Sequence, residues 1–259
     1  MVKALVIVEG ERRETRFFSR LAEVFGMRME IVSFRANIYR LYQALKEYGF
    51  DYDIRAALLE QNSSEEAKRI LSDKYAYTYL VFDCDVQHHP TEPKGALERT
   101  AHEVALKNFE RLKEMVGYFT NETDPDRGKL YVNYPMMESY RDADEFFDPS
   151  FKGRCIDIEA IGTYKTVVSK RKLSRFHENA LTRNEVMNLV RMHLYKLLWM
   201  MAGEWRLPAE DEYERYGQLE VEEVEREECV RDGRLQVLNT SVFLAVDYLG
   251  SKGFLMTDE

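Results

Sequence analysis

Residues 77–85 read YTYLVFDCD, a run of aromatic and branched side chains closed by two acids two positions apart. Such residues favour strands. Apolarity that is continuous, not alternating, is what a strand covered on both faces of a parallel sheet requires. Working outward, KALVIV at 3–8 is a second β-rich run, stopped at Glu9-Gly10, and MEIVSF at 29–34 is a third. Between them ETRFFSRLAEVFG spaces Phe17, Phe18, Leu21, Val24 and Phe25 on one helical face and ends at Gly26, a helix stop. NIYRLYQALKEYG at 37–49 repeats that spacing, and SSEEAKRILSDK at 63–74 opens with serines and acids, as a helix N-terminus prefers. A long helix over about 95–118 leads into a fourth strand, KLYVNYPMME at 129–138. Strand alternating with helix predicts an α/β fold with a parallel sheet flanked by helices.

After about residue 150 the pattern becomes mainly helical: a long apolar-faced helix over 181–205, a charged helix over 218–230 and an apolar segment over 235–250. No repeat or Pro/Gly-rich linker separates the halves. The expected organisation is an α/β domain over 1–148 with a mainly helical region over 149–259 packed on it.

Three acids stand at predicted strand ends: Glu9 ends the first strand, and Asp83 and Asp85 end the strand at 77–85. In a parallel sheet the strand C-termini share one edge, where ligands bind at a switch in strand order. If the two strands are neighbours, the acids converge. Residues two apart on a strand point to one side, so Asp83 and Asp85 would face together and Cys84 would face the core. Acids also favour strand ends for their solubility alone. A converging set, however, repels itself and raises its own pKa values, and a hard divalent cation with oxygen ligands, Mg²⁺ or Mn²⁺, removes that penalty. Glu138, just past the fourth strand, reaches the same edge by topology; a second metal, a positioned water or a plain helix-start acid all suit it.

VIVEGERRETRFF followed by YLVFDCD resembles the Toprim fold of topoisomerases, primases and OLD-type nucleases, whose marks are a Glu-Gly strand turn and a later DxD. EGERRE with Phe17-Phe18 is similar to the corresponding stretch of RloB-like antiphage defence proteins, and YVNYPMMESYRD looks like a stretch of the same group. The likeness covers about residues 3–142, with Glu14 at the second Glu of the turn motif and Arg13 where the family has Thr or Ser. It implies that Glu9 is a general acid/base or metal ligand and that Asp83 and Asp85 hold the cation. It further implies a toxic effector nuclease, cutting DNA or RNA (tRNA included), restrained by a separate ATPase or sensor.

The segment 163–177, TYKTVVSKRKLSRFH, carries Lys165, Lys170, Arg171, Lys172 and Arg175 with Tyr164, Phe176 and His177. It reads as a patch for a phosphate backbone, or as a solvated loop balancing nearby acids. Lys165 is a candidate clamp for transition-state charge. His88 and His89 follow the DxD strand, and a polar loop is the plainer reading for them. No GxxxxGK[ST], GxSxG, HExxH or Rossmann glycine pattern occurs, so nucleotide sensing would fall to another protein.

Lys and Arg total 37 against 46 Asp and Glu, a net charge of -9, which excludes coating nucleic acid by bulk charge but not gripping it through a local patch. Three scattered cysteines without CxxC, and an N-terminus that turns acidic early, lead to the expectation of a reducing cytoplasm and no membrane partner. A homo-oligomer stays open. The expectation is a Mg²⁺-dependent nuclease. The alternative is a non-nucleolytic acidic Mg²⁺ switch or a nucleic-acid-binding module.

Overall fold

The structure, a computed structural model, describes residues 2–51, 53–61, 64–88, 99–124 and 126–255. The apolar runs form the expected parallel strands, and the structure sets their order: β1 (Lys3–Val8) lies between β2 (Arg28–Ser33) and β3 (Tyr77–Asp83). β4 (Thr120–Asn121) and β5 (Gly128–Tyr134) complete the order β2-β1-β3-β5-β4, with β5 parallel to β3 and β4 antiparallel at the edge. Ala4 to Val8 of β1 are wholly buried, as are most of β3 and β5, while β2 at the edge is only partly covered. That gradient explains why the central strands are uniformly apolar and β2 contains Arg28 and Glu30. Gly128 opens β5 with a φ of +84°, and a Cβ there would stand 2.6 Å from the Thr78 carbonyl oxygen, so no other residue fits.

Helix α1 (Arg13–Phe25) connects β1 to β2, α2 (Ile38–Glu47), α3 (Ile54–Gln61) and α4 (Glu65–Leu71) connect β2 to β3, and α5 (Ala101–Tyr118) precedes β4. The chain steps outward from β1 to β2, then back across β1 to β3. Right-handed crossovers therefore place α1 on one face and α2 to α5 on the other. Consistently, α2 packs against α5. The remaining helices are α6 (Tyr164–Val168), α7 (Arg183–Ala202), α8 (Glu210–Arg215), α9 (Gln218–Asp232), α10 (Leu244–Leu249) and α11 (Lys252–Leu255). α7 covers α1 and α9 covers α5, so the C-terminal region buries both helical layers. Thr182 and Glu185 form a capping box at the start of α7, and Gly203 ends it in a left-handed conformation.

The structure revises several expectations. The fourth strand ends at Tyr134, not 138, because Pro135 has no N–H for the ladder. The segment 235–250 is not one apolar unit. β7 (Arg234–Gln236) pairs with β6 (Cys155–Asp157), β8 (Leu238–Asn239) joins β5, and a 3₁₀ turn leads into α10. The C-terminal region thus contributes a strand to the main sheet instead of only packing on it. α3 was not expected; Asp53 caps it by accepting from the amides of Arg55 and Ala56. The 95–98 start predicted for α5 and His89 lie outside the described residues. Cys84, Cys155 and Cys229 are free thiols, and no helix among the described residues is long and apolar enough to cross a membrane.

Candidate active site

The order β2-β1-β3 reverses direction at β1, so the crevice beyond the C-terminal ends of β1 and β3 is the switch point where such sheets bind ligands. Val8 pairs with Val81, which brings Glu9 and Asp83 to the same edge. The Asp83 amide donates to Glu9 Oε2 at 3.1 Å, and the Glu9 amide donates to the Val81 carbonyl at 3.1 Å. Asp83 is 8% exposed, and its Oδ1 accepts from the Met137 amide at 2.6 Å. Cys84 faces the core as expected, fully buried. The strand itself stops at Asp83. Asp85 lies in the turn beyond it with a φ of +41°, so turn geometry and not strand alternation aims its carboxylate. Its Oδ1 accepts from Gln87 Nε2 at 3.2 Å.

The three carboxyls act on one another. Burial, then the charge of Asp85, pushes Glu9 up to about 8, against the pull of the Asp83 amide. Burial and then Glu9, Asp85, Glu138 and Glu14 hold Asp83 well above the ordinary carboxylate range. Burial also raises Asp85, opposed by the Gln87 hydrogen bond, Lys165 and His88. Glu14 belongs to this set because Gly10 has no side chain: a Cβ at position 10 would meet the Glu14 carboxylate at 2.6 Å. That is the physical content of the Glu-Gly turn.

Glu138 is 3% exposed and joins the site from the turn after β5. Its Oε1 is paired with Arg13 and lies 3.5 Å from Lys165 Nζ, whereas its buried Oε2 has no partner. Lys165 reaches in from α6; burial works to lower its pKa, but Glu138, Asp83 and Asp85 outweigh that and raise it. The C-terminal region sets the Met137–Glu138 turn. Asn239 Nδ2 donates to the Met137 carbonyl at 2.9 Å, Ser241 Oγ donates to Asn239 Oδ1 at 2.8 Å, and the Asn239 amide donates to His193 Nδ1 at 3.2 Å. Burial depresses His193 to about 3, so the ring stays neutral and can accept.

Beside the acids lies a cavity of about 1050 Å³ whose wall includes Arg12, Arg13, Arg16, Arg141, Lys165 and Arg175. Glu14 and Glu138 join the same wall, while Glu9, Asp83 and Asp85 are not among its lining residues; Glu138 and Lys165 are the side chains that link the cavity to them. The structure divides the basic stretch named from sequence. Lys165 and Arg175 line this cavity. Lys170 and Lys172 are exposed but are not among its lining residues. Arg171 is turned inward, its Nε 2.9 Å from Asp142 Oδ1 and its Nη1 3.3 Å from Asp144 Oδ2, which makes it a brace of the loop. Arg12, Arg16 and Arg141 were not singled out in the sequence. The first two follow the Glu-Gly turn, and their nearness to the motif was the only available signal. His88 is a packing residue, stacked on Tyr39 at 5.4 Å.

Among the described residues, no three His, Cys, Asp or Glu side chains form a ready ligand set. The donor chemistry nonetheless suits a hard cation. Asp83 Oδ2, Glu9 Oε1 and Asp85 Oδ2 accept no hydrogen bond from a described residue, and Glu138 Oε2 is buried without one. The oxygens already bonded to Met137, Asp83 and Gln87 resemble the outer hydrogen bonds that orient metal-ligating carboxylates. No family model, curated protein or solved structure matches this chain.

Proposed function

We propose that this chain is a divalent-cation-dependent nuclease of the Toprim type, cutting phosphodiester bonds in DNA or RNA. One observation carries the reading: Glu9, Asp83 and Asp85 converge at the switch point of a mostly parallel sheet, next to a cavity walled by arginines. Asp83, Asp85 and Glu9 would hold Mg²⁺ or Mn²⁺, which when bound polarises the scissile phosphate and stabilises the leaving oxygen. Glu9, with a carboxyl pushed up to about 8, is also suited to carry a proton near neutral pH. Lys165 extends over half its side chain into the open beside Glu138, where its ammonium can meet a phosphate oxygen. Glu138 and the Met137 amide position Lys165 and Asp83 from the β5 turn. The family likeness extends the proposal to a cytoplasmic effector of bacterial antiphage defence, released by a separate ATPase or sensor.

The test is incubation of the purified protein with labelled DNA and RNA, tRNA included, with Mg²⁺, Mn²⁺ or EDTA. Cleavage is expected only with a cation and should vanish in the Asp83→Ala, Asp85→Ala double variant, together with calorimetric Mg²⁺ binding. Cutting by that variant, or in EDTA, would overturn the assignment. Cation binding without cleavage of any substrate would favour an acidic Mg²⁺ switch.

A further inference from the structure

We infer that the arginine-walled cavity selects unpaired nucleotides, so that the substrate is a single-stranded stretch of nucleic acid. The inference rests on the proposed phosphodiester chemistry and specifies what that site holds.

The six cations of the wall differ in availability. Arg13, Arg141 and Lys165 are engaged with Glu138 or Glu178. Arg12, Arg16 and Arg175 are exposed, and their guanidiniums make no ion pair or hydrogen bond with a described residue. In a chain of net charge -9, three uncommitted guanidiniums around one cavity form a local anion site. The start of α1 adds to it, because no side chain caps the amides there.

Phe176 is the second, independent observation. It lines the same cavity next to Arg175, is 40% exposed, and stacks on no other ring among the described residues. An exposed aromatic face among phosphate-binding cations is how proteins hold single strands: the cations follow the backbone and the ring stacks on a base. A base within a duplex has both faces covered by its neighbours and cannot make this contact. Phosphate contacts alone would accept a duplex equally well, so the ring is what confers the preference.

The experiment uses the full chain in EDTA, where binding is read without cleavage. Fluorescence anisotropy compares a labelled single-stranded oligonucleotide, as DNA and as RNA, with its own duplex. The single strands should bind at least about tenfold tighter than the duplex. Phe176→Ala should weaken single-strand binding by about 5- to 150-fold, the effect of losing one base–aromatic stack, and leave duplex binding and the salt slope unchanged. Phe176→Tyr should restore it. Arg12→Ala, Arg16→Ala and Arg175→Ala should each lower the single-strand salt slope by about 0.7. Equal affinity for duplex and single strand, or an unchanged Phe176→Ala protein with native melting, would overturn the inference. Phe176-dependent single-strand binding by a protein that cuts nothing in Mg²⁺ would support it while removing the nuclease reading.

Discussion

Replacing Glu9 by Gln separates a catalytic carboxyl from one that only shapes a turn. The amide of Gln still offers an oxygen to the Asp83 N–H, the 3.1 Å bond that fixes this side chain, so local geometry is kept. What is lost is the ionisable group, which burial and Asp85 push up from 4.5 to about 8. A carboxyl raised in the folded state contributes stability that is complete below pH 4.5 and lost as pH rises through about 8. At pH 7, without metal, the unfolded chain ionises freely across about 2.5 pH units while folded Glu9 stays largely protonated. At about 1.4 kcal/mol per unit that is on the order of 3 kcal/mol, shared in part with Asp83 and Asp85. Glu9→Gln should recover up to this amount, raising Tm in EDTA by roughly 6–12 °C near neutral pH and hardly at all near pH 4.5. In Mg²⁺ its cleavage rate should fall by about 10² or more, the scale of general acid–base catalysis. Thermal melts between about pH 4.5 and 8, paired with a cleavage assay, read both effects. A Tm difference independent of pH would refute the desolvation argument. A well-folded variant cutting at the wild-type rate would refute the site.

Three other perturbations probe how the fold serves the site. Asn239→Ala removes the donor to the Met137 carbonyl and should cost about 1–3 kcal/mol in denaturant unfolding, with a parallel loss of cleavage because Met137 holds Asp83; a stability loss with full activity would make this network purely structural. Arg171→Ala should destabilise by about 1–3 kcal/mol, since buried Asp142 loses a hydrogen-bonded cation and keeps Arg154 nearby, and should leave the salt slope of nucleic-acid binding untouched; a flattened slope would return Arg171 to the substrate-binding surface. Glu222 on α9 is buried with neither carboxyl oxygen bonded, and burial pushes it up to about 7. Its contribution is therefore complete below pH 4.5 and lost through pH 7, so Glu222→Met should stabilise by about 1–3 kcal/mol at pH 8 and less in acid; a gain that is flat with pH would count against this.

The elements themselves were legible in the sequence because they follow from local pattern. Continuous apolarity marked β1 and β3, helical spacing and Gly26 marked α1, and the acids at the strand ends marked Glu9, Asp83 and Asp85. Those signals depend on neighbours a few residues away. Whether β1 and β3 are adjacent does not, and only their pairing, Val8 with Val81, brings the acids together. The short strand at 238–239 was illegible for the same reason: two residues carry no periodicity, and their partners on β5 lie over a hundred positions earlier. Tertiary structure also sorted the basic residues. Arg171 and Arg175 stand four apart in one basic run, yet Asp142 and Asp144 draw the first inward while the second is left at the cavity with Arg12 and Arg16. A charge has no intrinsic role; its partner within a few ångströms assigns one, and in this chain that partner comes from a distant segment.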